Sequence, residues 1–303
     1  MNVVRHVVVE ADGDGQRVDN YLLKILKKVP KSRIYRMLRT GEVRVDGKRV
    51  QPVFRLVVGQ TLRIPPVTGM VEGEVVRAPQ VLLDALRRRV LFQSEQLLVL
   101  DKPAGLAVHG GSGIALGVIE ALKSSYPGFL ELAHRLDRGT SGVLLLARTP
   151  ATLKHLQASF REREVRKRYR AVVEGRIEVS ALRIDEPLKR YTTTGGERRV
   201  KIDSEEGQSA LSQVTTLVAG VQASTVQVEI DTGRTHQIRV HLANLGHPVV
   251  GDDKYGDATS DLAAKAGRML LHAEHIEFNL EGVAFSFDAP LPAVFETVQS
   301  EAG

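Results

Sequence analysis

The stretch "HRLDRGTSG", His134 to Gly142, sets one carboxylate, Asp137, between Arg135 and Arg138, directly ahead of the apolar run "VLLLAR". In a loop, such an aspartate can serve simply as a turn or cap residue that accepts nearby backbone N–H groups. Beside a guanidinium it stays ionised near neutrality, because the opposite charge and bidentate hydrogen bonds both favour the charged form. An ionised carboxylate can then act as nucleophile or as base. It suits an oxocarbenium-like sugar centre in glycosidic-bond chemistry, where a second carboxyl normally serves as acid. The sequence offers no obvious second acid. Two further polar clusters accompany the first: "VRKRYRAVVEG", with Lys167 and Tyr169 at the head of a strand, and "DTGRTHQIRVHLANLGHPVVGDDKYG", which carries Arg239.

Other chemistries fit less well. Six histidines (His134, His236, His241, His247, His272 and His275) invite a metal, but no HExxH is present and cysteine is absent. Most of them read as hydrogen-bonding structural residues or contacts to a bound partner. "GTSG" around Ser141 is not a GxSxG elbow, and "HGGSG" lacks the Lys and Ser/Thr of a P-loop. Without cysteine, disulfides and thiolate sites are excluded. No run of 18 apolar residues and no secretory leader is apparent, so an unexported, cytoplasmic protein is expected.

These residues need a frame. "QLLVLDKP", "VLLLAR", "RYRAVVEG", "TVQVEI" and "HIEFNL" read as strands, and the alternation in Val226 to Ile230 predicts a largely antiparallel sheet with one solvated face. Between them, "TPATLKHLQASFRER" reads as a helix with Thr149 as N-cap and Pro150 at N1. Thr235 is expected to cap a helix over Ile238 and Leu242 that stops at Gly246. The fold class is therefore α+β: a small N-terminal unit over 1–65, a Pro- and Gly-rich linker over 66–80, and a large domain over 81–303.

The N-terminal unit concentrates the charge. From Arg17 to Arg63 there are thirteen Lys and Arg against three acids, an excess of +10 in a chain whose total is +6. That is the footprint of a surface for a polyanion. "RVDNYLLKIL" and "KSRIYRMLRTG" predict two helices, the second with Ser32 as N-cap, Ile34, Met37 and Leu38 on one face and Arg33, Arg36 and Arg39 largely off it. "EVRVDGKRV" predicts a hairpin turning at Asp46-Gly47, with Arg44 and Lys48 on its arms. Residues 16–65 resemble an S4 RNA-binding domain, which makes Arg33, Arg36, Arg39, Arg44 and Lys48 the expected RNA contacts.

With "LVLDKPAGLAVH" before and "RMLLHAEHIEF" after, the three polar clusters resemble an RluA-type pseudouridine synthase over nearly the whole chain, and "GQRVDNYL" and "VPKSRIYRMLRTGEVRV" resemble its RluC branch. The resemblance implies isomerisation of specific uridines in 23S ribosomal RNA, without metal or organic cofactor; nothing in the chain demands more than a monomer. By the same resemblance, Asp137 is the essential aspartate, Tyr169 the active-site tyrosine, Arg239 the arginine that pairs with the aspartate, and Leu271 the apolar residue under the base. Arg135 would fill the space left by a flipped base, and His134 and Arg138 would touch phosphate. Whether Asp137 attacks the sugar or removes a C2′ proton is left open by the residues; the resemblance favours the proton. The chain departs from the family where Gly139 stands in place of the usual acid, which puts loop rigidity in doubt. An inert RNA-binding assembly factor and a metal-dependent RNA hydrolase are the alternatives.

Overall fold

The computed structural model describes residues 4–26, 29, 31–67, 78–110, 116–301 and 303. Most of the stretch read as a linker, much of "HGGSG" and the side chain of Ser32 lie outside the described residues. The chain divides into two compact units, Met1–Val76 and Arg77–Gly303.

The first unit contains β1 (Arg5–Val8), α1 (Val18–Ile25), α2 (Lys31–Thr40), β2 (Arg44–Val45), β3 (Lys48–Arg49) and β4 (Thr61–Ile64). The sheet runs β1-β4-β2-β3. Ile34, Met37 and Leu38 of α2 are buried with Val18 and Leu22 of α1 and with Leu62 and Ile64 of β4, as the apolar spacing requires. Asp46 and Gly47 both have positive φ, 48° and 76°. This is the type I′ turn whose twist matches a two-residue hairpin.

The second unit runs through α3 (Gln80–Arg87), β5 (Val90–Gln93), β6 (Leu97–Lys102), α4 (Val118–Lys123), β7 (Glu131–Leu132), β8 (Ser141–Ala147), α5 (Pro150–Glu162) and β9 (Arg166–Glu174). It continues with β10 (Ala181–Asp185), β11 (Leu188–Thr192), β12 (Arg198–Ile202), β13 (Leu211–Ala219), β14 (Ala223–Ile230) and α6 (Gln237–Asn244). Then come α7 (Asp261–Ala266), β15 (Leu271–Leu280), β16 (Val283–Asp288) and α8 (Val294–Glu301). The main sheet is ordered β10-β13-β14-β9-β15-β8-β6-β5, with β16 added to β15 and β7 to β8, and only β15–β8 is parallel. β11 and β12 form a separate hairpin.

The expectation of one solvated face holds for the β10–β13–β14 wing, where Gln213, Thr215 and Glu229 are exposed, and for the outer half of β15, where Asn279 is exposed between buried Phe278 and Leu280. At the centre both faces are covered: every residue of β6 and β8 is buried. Side chains of α3, α4 and α6 pack on one face, and those of α5, α7 and α8 on the other. Runs such as "VLLLA" bury both sides of the pleat, whereas alternation marks the stretches with one solvated face.

β8 and β15 meet closely where the polar clusters converge. Gly142 has φ +108°, and a Cβ there would lie 2.1 Å from the carbonyl oxygen of Ala273. Only glycine permits that approach.

Candidate active site

Asp137 lies on the loop entering β8. Thr140 N donates to Asp137 O (3.2 Å) and Gly105 N donates to Arg138 O (2.8 Å). Beneath them, fully buried Lys102 donates through Nζ to Pro103 O and Leu106 O, both at 2.8 Å, and to Arg138 O at 3.3 Å. Burial first, and the charge of Arg268 second, push the Lys102 ammonium down to about 7, while Asp137 and Asp101 pull the other way. One side chain thus ties "DKPAG" to "HRLDRG". Lys102→Met would orphan buried carbonyls, and urea denaturation is expected to show a loss of about 2–3 kcal/mol. At Gly139 a Cβ would meet Met269 Cε at 3.1 Å, so the missing acid leaves room for that methionine.

The Asp137 side chain retains 18% exposure, enough to be reached from solvent. Its Oδ2 accepts from Arg239 Nη1 at 3.3 Å and lies 3.9 Å from His236 Nε2. Oδ1 takes no hydrogen bond among the described residues. One oxygen is held and the other is open.

Arg239, on α6, is buried, but Asp137 is its weaker partner. Nε and Nη2 bind Asp252 Oδ2 and Oδ1 at 2.6 Å each, Nη2 also reaches Asp253 Oδ1 at 3.4 Å, and the guanidinium lies 5.2 Å from the Tyr255 ring centre. Burial opposes the charge on Arg239, yet the bonds to Asp252 and the pull of Asp137 outweigh it and raise its pKa. Burial likewise works to raise Asp252, but Arg239 and the N–H groups of Lys254 and Tyr255 hold it below the usual carboxylate range. The sequence reading gives Asp252 no role. Its sole signal was the Asx-turn spacing in "GDDKYG", where Asp252 accepts from backbone two and three residues on.

His236 is the second unforeseen residue. α6 begins at Gln237, so Thr235 is not its cap; His236 takes the N-cap position in a left-handed conformation, φ 54°, with no side-chain cap bond. The turn is held instead by Gln237 Oε1, which accepts from Arg234 N and Thr232 Oγ1. Tyr255 Oη accepts from Val200 N (2.9 Å) and contacts His236 Nδ1 at 2.8 Å. In the tautomer where the Tyr255 hydroxyl donates to Nδ1, the imidazole proton sits on Nε2, toward Asp137. Burial lowers the His236 pKa, Asp137 opposing, so the ring is neutral at pH 7.

Tyr169 on β9 and Leu271 on β15 complete the walls. Register pairs Leu271 with Ala171 and Ala273 with Tyr169, which puts Tyr169 and Leu271 on one face. Both are nearly buried, and they line with Asp137, Arg239 and Arg135 a cavity of about 130 Å³. Burial first, and Asp137 second, push the Tyr169 hydroxyl well above its ordinary pKa. Arg135 is exposed at the rim with no partner among the described residues.

His134 does not join them. Its Nε2 accepts from Leu145 N (3.0 Å), its ring lies 4.9 Å from that of Phe160, and burial pushes it down to about 3. The ring turns toward α5 and lies outside the cavity lining, and the expected phosphate contact is corrected on that ground. Arg138 is exposed but lies outside the cavity lining, its Nε donating to Gly105 O. In the first unit, Arg33 is a bidentate partner of Glu42 (3.0 and 2.7 Å), which occupies its fork. Arg44 donates to Gly41 O and Gly47 O, while Arg36, Arg39, Arg44 and Lys48 are exposed.

The other four candidate histidines make structural bonds: His241 to Ser212 and Glu186 O, His247 to Glu174 O, His272 to Ser141 and Ala289 O, and His275 to Asp288. Among the described residues no three His, Asp or Glu converge as a metal requires, and no helix is long and apolar enough to cross a membrane.

Residues 96–244 match the RNA pseudouridylate synthase family, and residues 16–62 match the S4 domain. The chain is 43% identical over 296 residues to ribosomal large subunit pseudouridine synthase C of Pasteurella multocida, covering 95% of this chain and 90% of that one. It is 42% identical to the protein of the same name from Escherichia coli K12, with 95% and 93% covered. Among solved structures, human RNA pseudouridylate synthase domain containing 4 superposes with a TM-score of 0.60 at 28% identity, over 73% of this chain and 95% of that one. Human RNA pseudouridylate synthase domain containing 1 does so with a TM-score of 0.59 at 30% identity, over 68% and 86%.

Proposed function

The chain belongs to the RNA pseudouridylate synthase family, and from that premise we propose that it isomerises specific uridines of large-subunit (23S) ribosomal RNA, as a cytoplasmic monomer that needs neither metal nor organic cofactor. The observation that carries the assignment of residues is the asymmetry of Asp137: Oδ2 is held by Arg239 and faces His236, Oδ1 takes no hydrogen bond among the described residues, and the side chain lines a cavity with Tyr169 and Leu271.

The target base leaves its stack at a cost of a few kcal/mol and enters that cavity, with Arg135 at the rim to fill the vacated space. Leu271 forms the floor under the uracil. Oδ1 of Asp137 takes the C2′ proton as the C1′–N1 pair departs with the base, leaving a C1′–C2′ double bond and a uracil anion. The base turns in place, C5 bonds to C1′, and Asp137 returns the proton to C2′. C5 then loses its proton and N1 gains one, so the net change is an isomerisation. Tyr169, kept neutral by burial, packs against the base and passes on the C5 proton by accepting at Oη as it releases its own. Arg239 holds Asp137 Oδ2 in position, and Asp252 keeps Arg239 in place.

Arg36, Arg39, Arg44 and Lys48 of the S4 unit, with Arg138 in the catalytic unit, supply backbone contacts that position the RNA without reading its sequence. An inert assembly factor, the main alternative, has no use for a carboxylate with one held and one open oxygen.

The test is tritium release from large-subunit rRNA labelled at uridine C5, with purified protein in EDTA. Release, followed by mapping of the modified positions, supports the reading. Tight binding without release from unmodified rRNA overturns it in favour of the assembly factor.

The contact between His236 and Asp137 carries its own expectation. His236→Ala should lower the single-turnover rate on saturating rRNA about tenfold with little change in affinity, and His236→Gln, which keeps an N–H donor, should recover part of it. Equal rates for the wild type and both variants would remove His236 from the positioning of Asp137.

A further inference from the structure

Beside the catalytic cavity lies a second one, of about 280 Å³, whose lining shares Arg190, Arg234 and Thr235 with the first. Its outer wall is the β11–β12 hairpin. That hairpin stands outside the main sheet but is well fastened. Val200 N donates to Tyr255 Oη (2.9 Å), Arg199 Nη1 donates to Lys254 O (2.8 Å), and Leu188 exchanges backbone bonds with Gln208 at 2.9 Å each. Leu188 and Val200 are buried together with Ala210 and Val240.

Arg190 is two residues from Leu188 and directly opposite Val200, so it shares their inward face. A polar strand face turned outward would have sent it to solvent on the far side. Instead it reaches the junction of the two cavities, exposed and with no hydrogen-bond or ion-pair partner among the described residues. Arg234 is fixed there by Nε, which donates to Ser209 O at 3.1 Å and leaves its terminal nitrogens unassigned. The remaining charges in the lining cancel: Lys189 is bound to Glu206, with Asp203 3.5 Å away. Two guanidiniums and one hydroxyl therefore face a single open volume on a rigid frame.

We infer that this cavity is a phosphate subsite, which takes the backbone phosphodiester next to the target uridine while the base occupies the catalytic cavity. The inference rests on the proposed function for its ligand. A nucleotide held at Asp137 must carry a phosphate to one side, and guanidinium forks match phosphate oxygens in charge and geometry. The shared lining makes the subsite continuous with the reacting centre, so it sets the depth to which the flipped nucleotide enters. Such a contact positions the chain and carries no sequence information.

The experiment uses the full-length protein and an unmodified large-subunit rRNA transcript, with filter binding between 50 and 200 mM KCl and single-turnover rates. For Arg190→Gln the affinity is expected to fall about tenfold, and the slope of log affinity against log salt to shrink by about 0.7, as for one lost single-strand phosphate contact. The rate at saturating protein should also fall several-fold, because the nucleotide is seated less deeply, and Arg190→Lys should restore the slope. Wild-type affinity and slope in Arg190→Gln would overturn the subsite. If the wild type binds but does not isomerise, the proposed function fails, and the salt slopes still judge the subsite.

Discussion

Asp137→Asn is expected to reduce tritium release from C5-labelled rRNA by at least about a thousandfold, while rRNA affinity stays within a few-fold and the thermal unfolding curve hardly moves. The magnitude follows from the role: a positioned base contributes on the order of 10²–10⁴ in rate, and the amide that replaces it has no basic lone pair at oxygen. The fold should tolerate the change because the side chain keeps 18% exposure and its bond to Arg239 is long, 3.3 Å, beside the two 2.6 Å bonds to Asp252. Losing Asp137 therefore does not strand the buried guanidinium. Substantial activity in Asp137→Asn would move the chemistry to another carboxylate, and Asp253, 78% exposed and 3.4 Å from Arg239, would be the first to examine.

Asp252→Ala should behave in the opposite way, as a folding defect with catalytic consequences. Asp252 is fully buried, accepts two guanidinium bonds and holds the turn through the N–H groups of Lys254 and Tyr255. Removing one partner of a buried pair leaves an uncompensated charge, and the expected loss is about 3–5 kcal/mol in denaturant unfolding. Activity measured well below the new melting temperature should also fall, because Arg239 no longer holds Asp137 in one place. A variant with wild-type stability would show that Arg239 finds enough support in Asp137, Asp253 and the Tyr255 ring.

The pair also gives the wild type a pH dependence. Since the folded pKa of Asp252 lies below its unfolded value, its contribution is fully present above the unfolded pKa and is lost as pH falls through the folded one. Asp252→Asn should therefore flatten the acid limb of the stability curve, which denaturation at stepped pH would measure.

Much of this architecture could be read directly from the chain. Thr149 accepts from Thr152 N as the N-cap of α5, with Pro150 behind it at N1; Asp46-Gly47 turns the hairpin; and the apolar spacing of α2 chose the face that is buried. Each of these rests on forces that act within a few residues: a side chain reaching its own backbone, a φ angle only some residues adopt, a helical repeat of 3.6. The candidate site was legible in the same sense, because Asp137, Tyr169, Arg239 and Leu271 sit in long motifs whose order could be recognised. All four line one cavity.

What the chain alone left undecided is how those groups are partnered. Asp137 and Arg239 are 102 positions apart, and nothing local says that Asp252, rather than Asp137, is the principal anion for the guanidinium. His134 stands three residues from Asp137 yet turns away from the cavity, its ring against Phe160 of α5 and its Nε2 accepting from Leu145 N of β8. His236 adopts a left-handed backbone at the entry to α6 and sets its ring against Tyr255, 19 positions on. The sequence by itself determined the elements and the residue types at the reacting centre, since these follow from short-range stereochemistry. Only the tertiary structure decided which charge faces which, because burial and Coulomb partners come from strands and turns that the chain joins far apart.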